Sequence, residues 1–319
     1  VPDRCRDDAV MAVVALGQGV RVPWAALPPA VHAAVASVCG APVATAVTCP
    51  GGFSPGAAAA VTLADGRRAF VKAVSTAQNP DSPRMYRQEI AVNGWLPSHP
   101  AIPALLGTFD DGDWVALVFD YVDAPTPSLP WRADDLDVVL RTVVDVQQRA
   151  GAVPATPVGA LLADDFASWA ALGRERPPAL DAWSAARLDR LAEVEAGWAA
   201  AAEGDALLHT DLRADNVLVR EGRAWLVDWP WACAGAAWVD AVLMAPSVVL
   251  QGGPLPESLV AAAYPSAPPS GVLAVVAALA GFFTRAALAP PPPGLPTVRA
   301  HQAACGRASR EWLARLLDA

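Results

Sequence analysis

A proline-rich stretch, Asp123-Ala-Pro-Thr-Pro-Ser-Leu-Pro130, divides this chain into two parts that obey different periodicities. Before it, short runs of β-branched and small residues at 43–49, 58–63, 68–74, 105–109 and 114–121 are separated by turn signals. Ala64-Asp65-Gly66 and Asp110-Asp-Gly-Asp113 read as hairpin links, because glycine supplies the backbone conformation that a tight reversal needs. Ser82-Pro83 opens a helix, with the serine as N-cap and proline at the first helical position, and Pro97 stops it near residue 96. Residues 1–42 read as helical, with a break at Pro28-Pro29 before a helix over 30–39. After the connector the spacing is helical at 133–150, 160–172, 184–202, 237–250, 255–264, 271–288 and 297–317. One short hairpin, 217–219 with 224–227, interrupts these helices, and a tetraproline loop, Pro290–Pro293, precedes the last. The order predicts an α+β chain of two lobes, residues 1–121 and 122–319, with a cleft at their junction where a small ligand binds.

Composition removes several classes of partner. The chain has 319 residues, enough for two cores, and a net charge of −9, which argues against nucleic acid and anionic membrane as partners. The longest apolar run, residues 271–283, is too short to span a bilayer. Asp3, Asp7 and Asp8 stand among the first residues where a signal peptide is basic, so the cytoplasm is the expected compartment. Five cysteines at irregular spacing, with no C-x-x-C pair, indicate neither a zinc site nor a disulfide framework and read as small buried hydrophobes. Lysine occurs once, at Lys72, among 23 basic residues, and asparagine only at Asn79, Asn93 and Asn216. Rare residues at particular places draw the eye to those places.

The sharpest signal is Leu207-Leu-His-Thr-Asp-Leu-Arg-Ala-Asp-Asn-Val-Leu-Val219, followed by Trp225-Leu-Val-Asp-Trp-Pro-Trp231. Phosphoryl transfer needs a group that orients the attacking hydroxyl and takes its proton, oxygen ligands for magnesium, and cations at the phosphates. Asp211 suits the base. Asn216 and Asp228 offer the hard oxygen donors that Mg²⁺ prefers. The segment resembles the catalytic loop of the protein-kinase-like superfamily and, within it, is most similar to that of the aminoglycoside phosphotransferases. The resemblance covers roughly residues 43–245 and implies a two-lobed kinase-like fold, ATP or GTP and Mg²⁺ as cofactors, and a small-molecule acceptor. It makes Arg213 a second catalytic residue that touches the transferring phosphate, and Asp240 a brace for the loop.

The first part supplies the other pieces in the order the resemblance implies. Lys72, in Phe70-Val-Lys-Ala-Val74, holds the α- and β-phosphates, and Glu89, on the helix opened by Ser82-Pro83, pairs with it. Pro50-Gly-Gly-Phe-Ser-Pro-Gly56 takes the place of the phosphate-covering loop, with Gly51, Gly52 and Ser54 at the nucleotide, although G-x-G-x-x-G is missing. The backbone of Asp120 and Val122 bonds the base, and Phe119 takes the gatekeeper place. Other departures narrow the reading. Thr210 stands where the family has glycine, Ala214-Asp215 where it has Pro-Gly, no glycine follows Asp228, and there is no Ala-Pro-Glu motif. A protein substrate is therefore not expected.

Plainer readings stand beside these. His209 reads as a structural residue bonded to backbone near Asp228, since Asp211 already supplies a base. Asp164 and Asp165 read as caps of a helix at Phe166. Trp229 and Trp231 could line the cleft, while Trp131, Trp169, Trp183 and Trp198 could face the acceptor or fill the core. Three functions fit: a kinase of an antibiotic or related natural product, serving resistance or modification; a metabolite kinase acting on a sugar, amino sugar, choline or homoserine; and a nucleotide-binding pseudokinase. Monomer and dimer fit equally. Residues 229–319 carry four acids against five arginines, which is no obvious site for a polycation.

Overall fold

The computed structural model describes residues 19–318. The helical reading of residues 1–18, and Cys5, lie outside them. Among the described residues, five strands form one antiparallel sheet in the order β1-β2-β3-β5-β4: β1 (Val43–Thr48), β2 (Ala57–Leu63), β3 (Arg68–Ser75), β4 (Leu105–Asp110) and β5 (Trp114–Asp120). Both expected hairpins form, with Gly66 at φ +86° and Gly112 at φ +98°. Alternation along the strands divides the side chains between two faces. Ala59, Val61, Val71, Ala73 and Val118 pack on Val31 and Val35 of α1 (Pro29–Cys39). The opposite face, with Phe70, Val74, Val115, Leu117 and Phe119, packs on Tyr86 and Ile90 of α2 (Ser82–Asn93). Helix α1 lies so close to β4 that a Cβ on Gly107 would stand 2.7 Å from Val38.

Helix α2 ends three residues earlier than the sequence suggests, at Asn93, and its N-terminus is held differently. Ser82 is inside the helix. The Asn79 carboxamide oxygen accepts from the backbone N–H groups of Asp81 (2.9 Å) and Ser82 (3.1 Å), and its nitrogen donates to Pro293 O (2.8 Å). One rare asparagine thus caps a helix and ties it to the tetraproline loop.

The remainder is mostly helical. In α3 (Ala133–Ala150) the buried residues Leu136, Val139, Val143 and Val146 form one stripe at helical spacing. The two long helices expected next are broken into pieces, among them α4 (Ser168–Glu175) and α5 (Leu188–Glu195). The last residue of α5 explains part of the break. Glu195, only 2% exposed, reaches across to accept from the backbone N–H groups of Trp169 (3.0 Å) and Ala170 (3.1 Å), so it caps α4 from another helix. Neither Asp164 nor Asp165 makes a side-chain cap. Glu195→Ala leaves two buried N–H groups without their acceptor and is expected to lower the unfolding free energy by about 2 kcal/mol. Glu195→Gln keeps one acceptor oxygen and should recover part of that loss in a urea titration.

Two short strands missed by the sequence reading, β6 (Ala206–Leu208) and β9 (Cys233–Gly235), pair in one ladder and flank in sequence the hairpin β7 (Val217–Arg220) and β8 (Arg223–Leu226). The proline-rich connector is fastened to this hairpin, because Val219 N donates to Pro125 O (2.8 Å). Helices α6 (Val239–Leu250), α7 (Pro256–Ala263), α8 (Pro269–Ala287) and α9 (Val298–Leu317) complete the large lobe. Helix α8 has a mean hydropathy of 1.7, so length and composition alone would let it cross a bilayer, but 61% of that stretch is buried inside the protein. It lies in the large-lobe core with Trp169 and Trp198. Cys39, Cys233 and Cys305 are buried and Cys49 is half-buried; all four are free thiols.

Candidate active site

Lys72 lies on the α2 face of β3, between Ala58 of β2 and Leu117 of β5. Its ammonium is 2.6 Å from Glu89 Oε2 and 2.7 Å from Asp228 Oδ1. Glu89 is 2% exposed, on the stripe of α2 that also buries Tyr86 and Val92. A carboxylate among apolar positions needs a partner, and Lys72 is that partner. Arg87, the alternative companion on α2, is instead paired with Asp110 (2.7 Å). Burial works against the Lys72 charge, but Asp228 and Glu89 outweigh it and raise its pKa. Burial also pushes Glu89 up against the pull of Lys72. Asp228, less enclosed, is held below the usual carboxylate range, because Lys72 overcomes the effect of burial. Residues 156 positions apart in the chain are thereby locked together across the cleft.

The loop 209–216 leaves β6 and is fixed from behind. Asp240, in the first turn of α6, accepts from His209 N (2.9 Å) and Thr210 N (2.8 Å), which holds Thr210 at φ +63°. His209 is buried and its pKa is lowered, above all by that burial. The neutral ring donates from Nε2 to Val227 O (3.0 Å) and accepts from Asp211 N at Nδ1 (3.3 Å), so one tautomer serves both bonds. Both of its nitrogens are thus spent on backbone. The β7–β8 ladder, extended by Val227 N to Asn216 O (3.0 Å), brings the residue before the hairpin beside the residue after it. Asp228 itself has φ +69°, a strained conformation for a non-glycine residue and one found at functional sites.

Asp211 is partly open to solvent, at 30% side-chain exposure. Burial of its carboxyl, helped by Asp215 and Asp228 and opposed by Arg213, pushes its pKa up to about 6. Arg213 does not stand free. Its Nη1 pairs with Asp211, and its Nε and Nη2 lie 3.0 and 3.2 Å from the Asp215 carboxylate. Asp215 is therefore a loop-bonding residue. Asn216 Nδ2 donates to Asp211 O (2.8 Å) and Oδ2 (3.1 Å), which leaves the amide oxygen as the atom available to a cation. Among the described residues no group of three or more His, Cys, Asp and Glu side chains is gathered for a metal. Asn216 and Asp228 alone suit an ion such as Mg²⁺, which binds through one or two protein oxygens together with substrate phosphates.

The loop from Pro50 to Gly56 lies over these groups. Gly51, Gly52 and Gly56 all have positive φ (+86°, +79° and +105°), as a loop that curls back on itself requires. Ser54 Oγ is 3.1 Å from the Tyr86 hydroxyl, and the Tyr86 ring centroid is 5.1 Å from Lys72 Nζ. The Phe53 ring lies 5.1 Å from the Arg213 guanidinium and 4.7 Å from the ring of His301 on α9. Sequence reasoning missed Tyr86 and His301. Tyr86 was detectable as the residue three before Glu89, on the same helix face. At the connector, Asp120 N–H is spent on Ala104 O (2.9 Å), so a bond from Asp120 to a base must come from its carbonyl. Phe119 is buried, and Val122 follows at the start of the connector. Trp131, Trp169, Trp198 and Trp229 are core, Trp229 with its ring centroid 4.4 Å from that of His209 and its Nε1 donating to Leu226 O; Trp231 and Trp183 are half-buried.

A sequence model of the phosphotransferase enzyme family (APH) matches residues 47–290, about three quarters of the chain. The chain belongs to this family. The phosphotransferase is a small-molecule kinase with the α+β, two-lobed kinase-like fold. Among solved structures it is similar to the choline kinase LicA from Streptococcus pneumoniae, with 12% identity over 89% of this chain and 98% of that one and a TM-score of 0.59. An aminoglycoside-3'-phosphotransferase of type VIII aligns at 20% identity over 79% and 98%, with a TM-score of 0.50. The amicoumacin kinase hAmiN, in complex with AMP-PNP, Ca2+ and Ami, aligns at 10% identity over 99% and 96%, with a TM-score of 0.53. At such identities the likeness is one of fold. No curated protein sequence matches the phosphotransferase.

Proposed function

We propose that this phosphotransferase moves the γ-phosphoryl group of ATP or GTP to a hydroxyl of a small antibiotic or related natural product. The observation that supports it best is a single cluster. Lys72 is clamped between Glu89 and Asp228, beside a loop that Asp240 holds at His209 and Thr210 and on which Asn216 bonds Asp211. In this reading Asp211 orients the acceptor hydroxyl and takes its proton as the new O–P bond forms. Lys72 holds the α- and β-phosphates, and Glu89 keeps it in place. Gly51, Gly52 and Ser54 cover the phosphates. The Asp120 carbonyl and Val122 N–H bond the base. Arg213 turns from Asp211 toward the transferring phosphoryl group, whose charge its fork of donors suits. Asn216 and Asp228 are the residues that would hold Mg²⁺, which would neutralise charge at the phosphates. We take residues 1–121 as the nucleotide-holding lobe and 122–319 as the lobe that carries the acceptor, in a cytoplasmic setting.

The acceptor is uncharged or weakly cationic in this proposal. Of the four acids in residues 229–319, Asp240 is spent on the catalytic loop and Glu257 on Arg315 (2.8 Å). Few carboxylates remain there for a polyamine. The choline kinase that shares the fold gives a metabolite acceptor as the second reading. The test is mass spectrometry after incubation with ATP or GTP, Mg²⁺ and a panel of antibiotics, nucleosides, sugars and choline. A product heavier by one phosphoryl group is expected. Tight nucleotide binding with no phosphorylated product across the panel would overturn the proposal. Resistance conferred on a susceptible host would separate an antibiotic acceptor from a metabolite.

A further inference from the structure

Four carbonyl groups of the loop over Lys72 are occupied by one short segment from near the start of the described chain. Gly19 N donates to Gly52 O (2.8 Å), and Val22 N to Gly56 O (3.0 Å). Between them the Arg21 guanidinium donates from Nη1 to Ser54 O (2.6 Å) and from Nη2 to Gly51 O. These contacts spend loop carbonyls and, among the described residues, make no use of the N–H groups of Gly51, Phe53 and Ser54. A loop with its carbonyls turned to one side and N–H groups left on the other is a concavity for anions. A guanidinium behind it adds a positive charge.

The fit is close. A Cβ on Gly19 would stand 2.5 Å from Ser54 O, and one on Gly52 would stand 2.9 Å from Arg21 Nη2. The segment is itself anchored, because Val20 N donates to Gly294 O (3.0 Å) beside the tetraproline loop. Arg21 Nε is buried with no hydrogen-bond partner among the described residues.

We infer that Arg21 is a positioning residue for the nucleotide: through the carbonyls of Gly51 and Ser54 it sets the loop Pro50–Gly56 so that its N–H groups meet the phosphates above Lys72. The inference rests on the nucleotide-binding role proposed above for that loop. It assigns a function to a segment that precedes β1 and belongs to neither the sheet nor the catalytic loop.

Ligand truncation separates this role from a general structural one. ATP and adenosine, or GTP and guanosine, are titrated by calorimetry into wild type, Arg21→Met, Arg21→Lys and Gly19→Ala. Arg21→Met should weaken the triphosphate about tenfold, the size of one lost charge-assisted contact, and leave the nucleoside within about twofold. Arg21→Lys should fall between, because it keeps the charge and loses the fork. Gly19→Ala keeps Arg21 but pushes the segment off the loop, and should show the same selective loss. In turnover, KM for the nucleotide should rise while KM for the acceptor stays. Equal losses for triphosphate and nucleoside, or no loss in either Arg21→Met or Gly19→Ala, would overturn the inference. A wild type that binds neither triphosphate overturns the nucleotide-binding proposal itself, which is a different and recognisable result.

Discussion

Asp211→Asn is expected to slow phosphoryl transfer by about three orders of magnitude and to leave nucleotide affinity nearly unchanged. The substitution is nearly isosteric. It removes the proton acceptor but keeps an oxygen that can accept from Asn216 Nδ2, now 3.1 Å away. Arg213 retains its pair with Asp215, so the loop keeps its shape. The same carboxyl sets the acid limb of the pH profile. With its pKa raised to about 6 by burial, it is ionised, and able to take a proton, only above that pH. Wild-type kcat/KM should therefore be level above about pH 6 and fall about tenfold for each pH unit below it. Two assays check this: single-turnover transfer for the variant, and a pH–rate profile for the wild type. Unchanged transfer in Asp211→Asn would remove Asp211 from the chemistry. An unchanged biological effect in a variant that no longer transfers phosphate would instead favour the pseudokinase reading.

How far the site was legible depends on the range over which each residue is determined. Lys72 and Glu89 were legible because the resemblance calls for a lysine on a strand and an acid on the next helix, and Lys72 is the one lysine in the chain; local periods account for where they then sit. Alternation in β3 puts Lys72 on the α2 side, and helical spacing puts Glu89 on the buried face of α2. Asp228 was legible because the resemblance places an acid after the strand that follows the catalytic loop, and a hairpin of two four-residue strands leaves little freedom between Asn216 and that strand end. The missed features are set by contacts between distant residues, which no local period encodes. Glu195 breaks an expected long helix because it caps α4, 26 residues earlier. Asn79 displaces Ser82 as the cap of α2 because the loop before the helix folds back. Ladders of three residues, such as β6 with β9, are too short to carry a pattern. Arg21 could not be singled out among so many arginines, because nothing near it in sequence points to the loop it grips 30 residues on. The tryptophans were left between two readings. Of the two roles they could serve, lining the cleft or filling the core, four of the six singled out take the second.

Lys72→Met should produce the second large effect, and on stability as well as on activity. Lys72 is the ammonium that compensates Glu89, a carboxylate only 2% exposed. Breaking a buried pair from one side costs about 3–5 kcal/mol, because the remaining charge keeps its desolvation penalty and loses its partner. The variant can relieve this by protonating Glu89, and that gives the prediction a sign. An unpaired Glu89 has its folded pKa raised above the unfolded value by burial, so the folded state binds the proton more tightly than the unfolded one. Stability of the variant then falls as pH rises from the unfolded pKa through the raised folded pKa, and the deficit against wild type is smallest in acid. The second substitution, Lys72→Met with Glu89→Leu, removes both buried charges and should restore most of the lost stability. It should not restore phosphoryl transfer, since the ammonium assigned to the α- and β-phosphates is still missing. Urea titrations of the single and double variants across pH, run beside transfer assays, test both halves of the claim. A double variant as unstable as the single one would show that Glu89 is held by something other than Lys72. A single variant with wild-type turnover would show that Lys72 is a structural ion and not a nucleotide ligand.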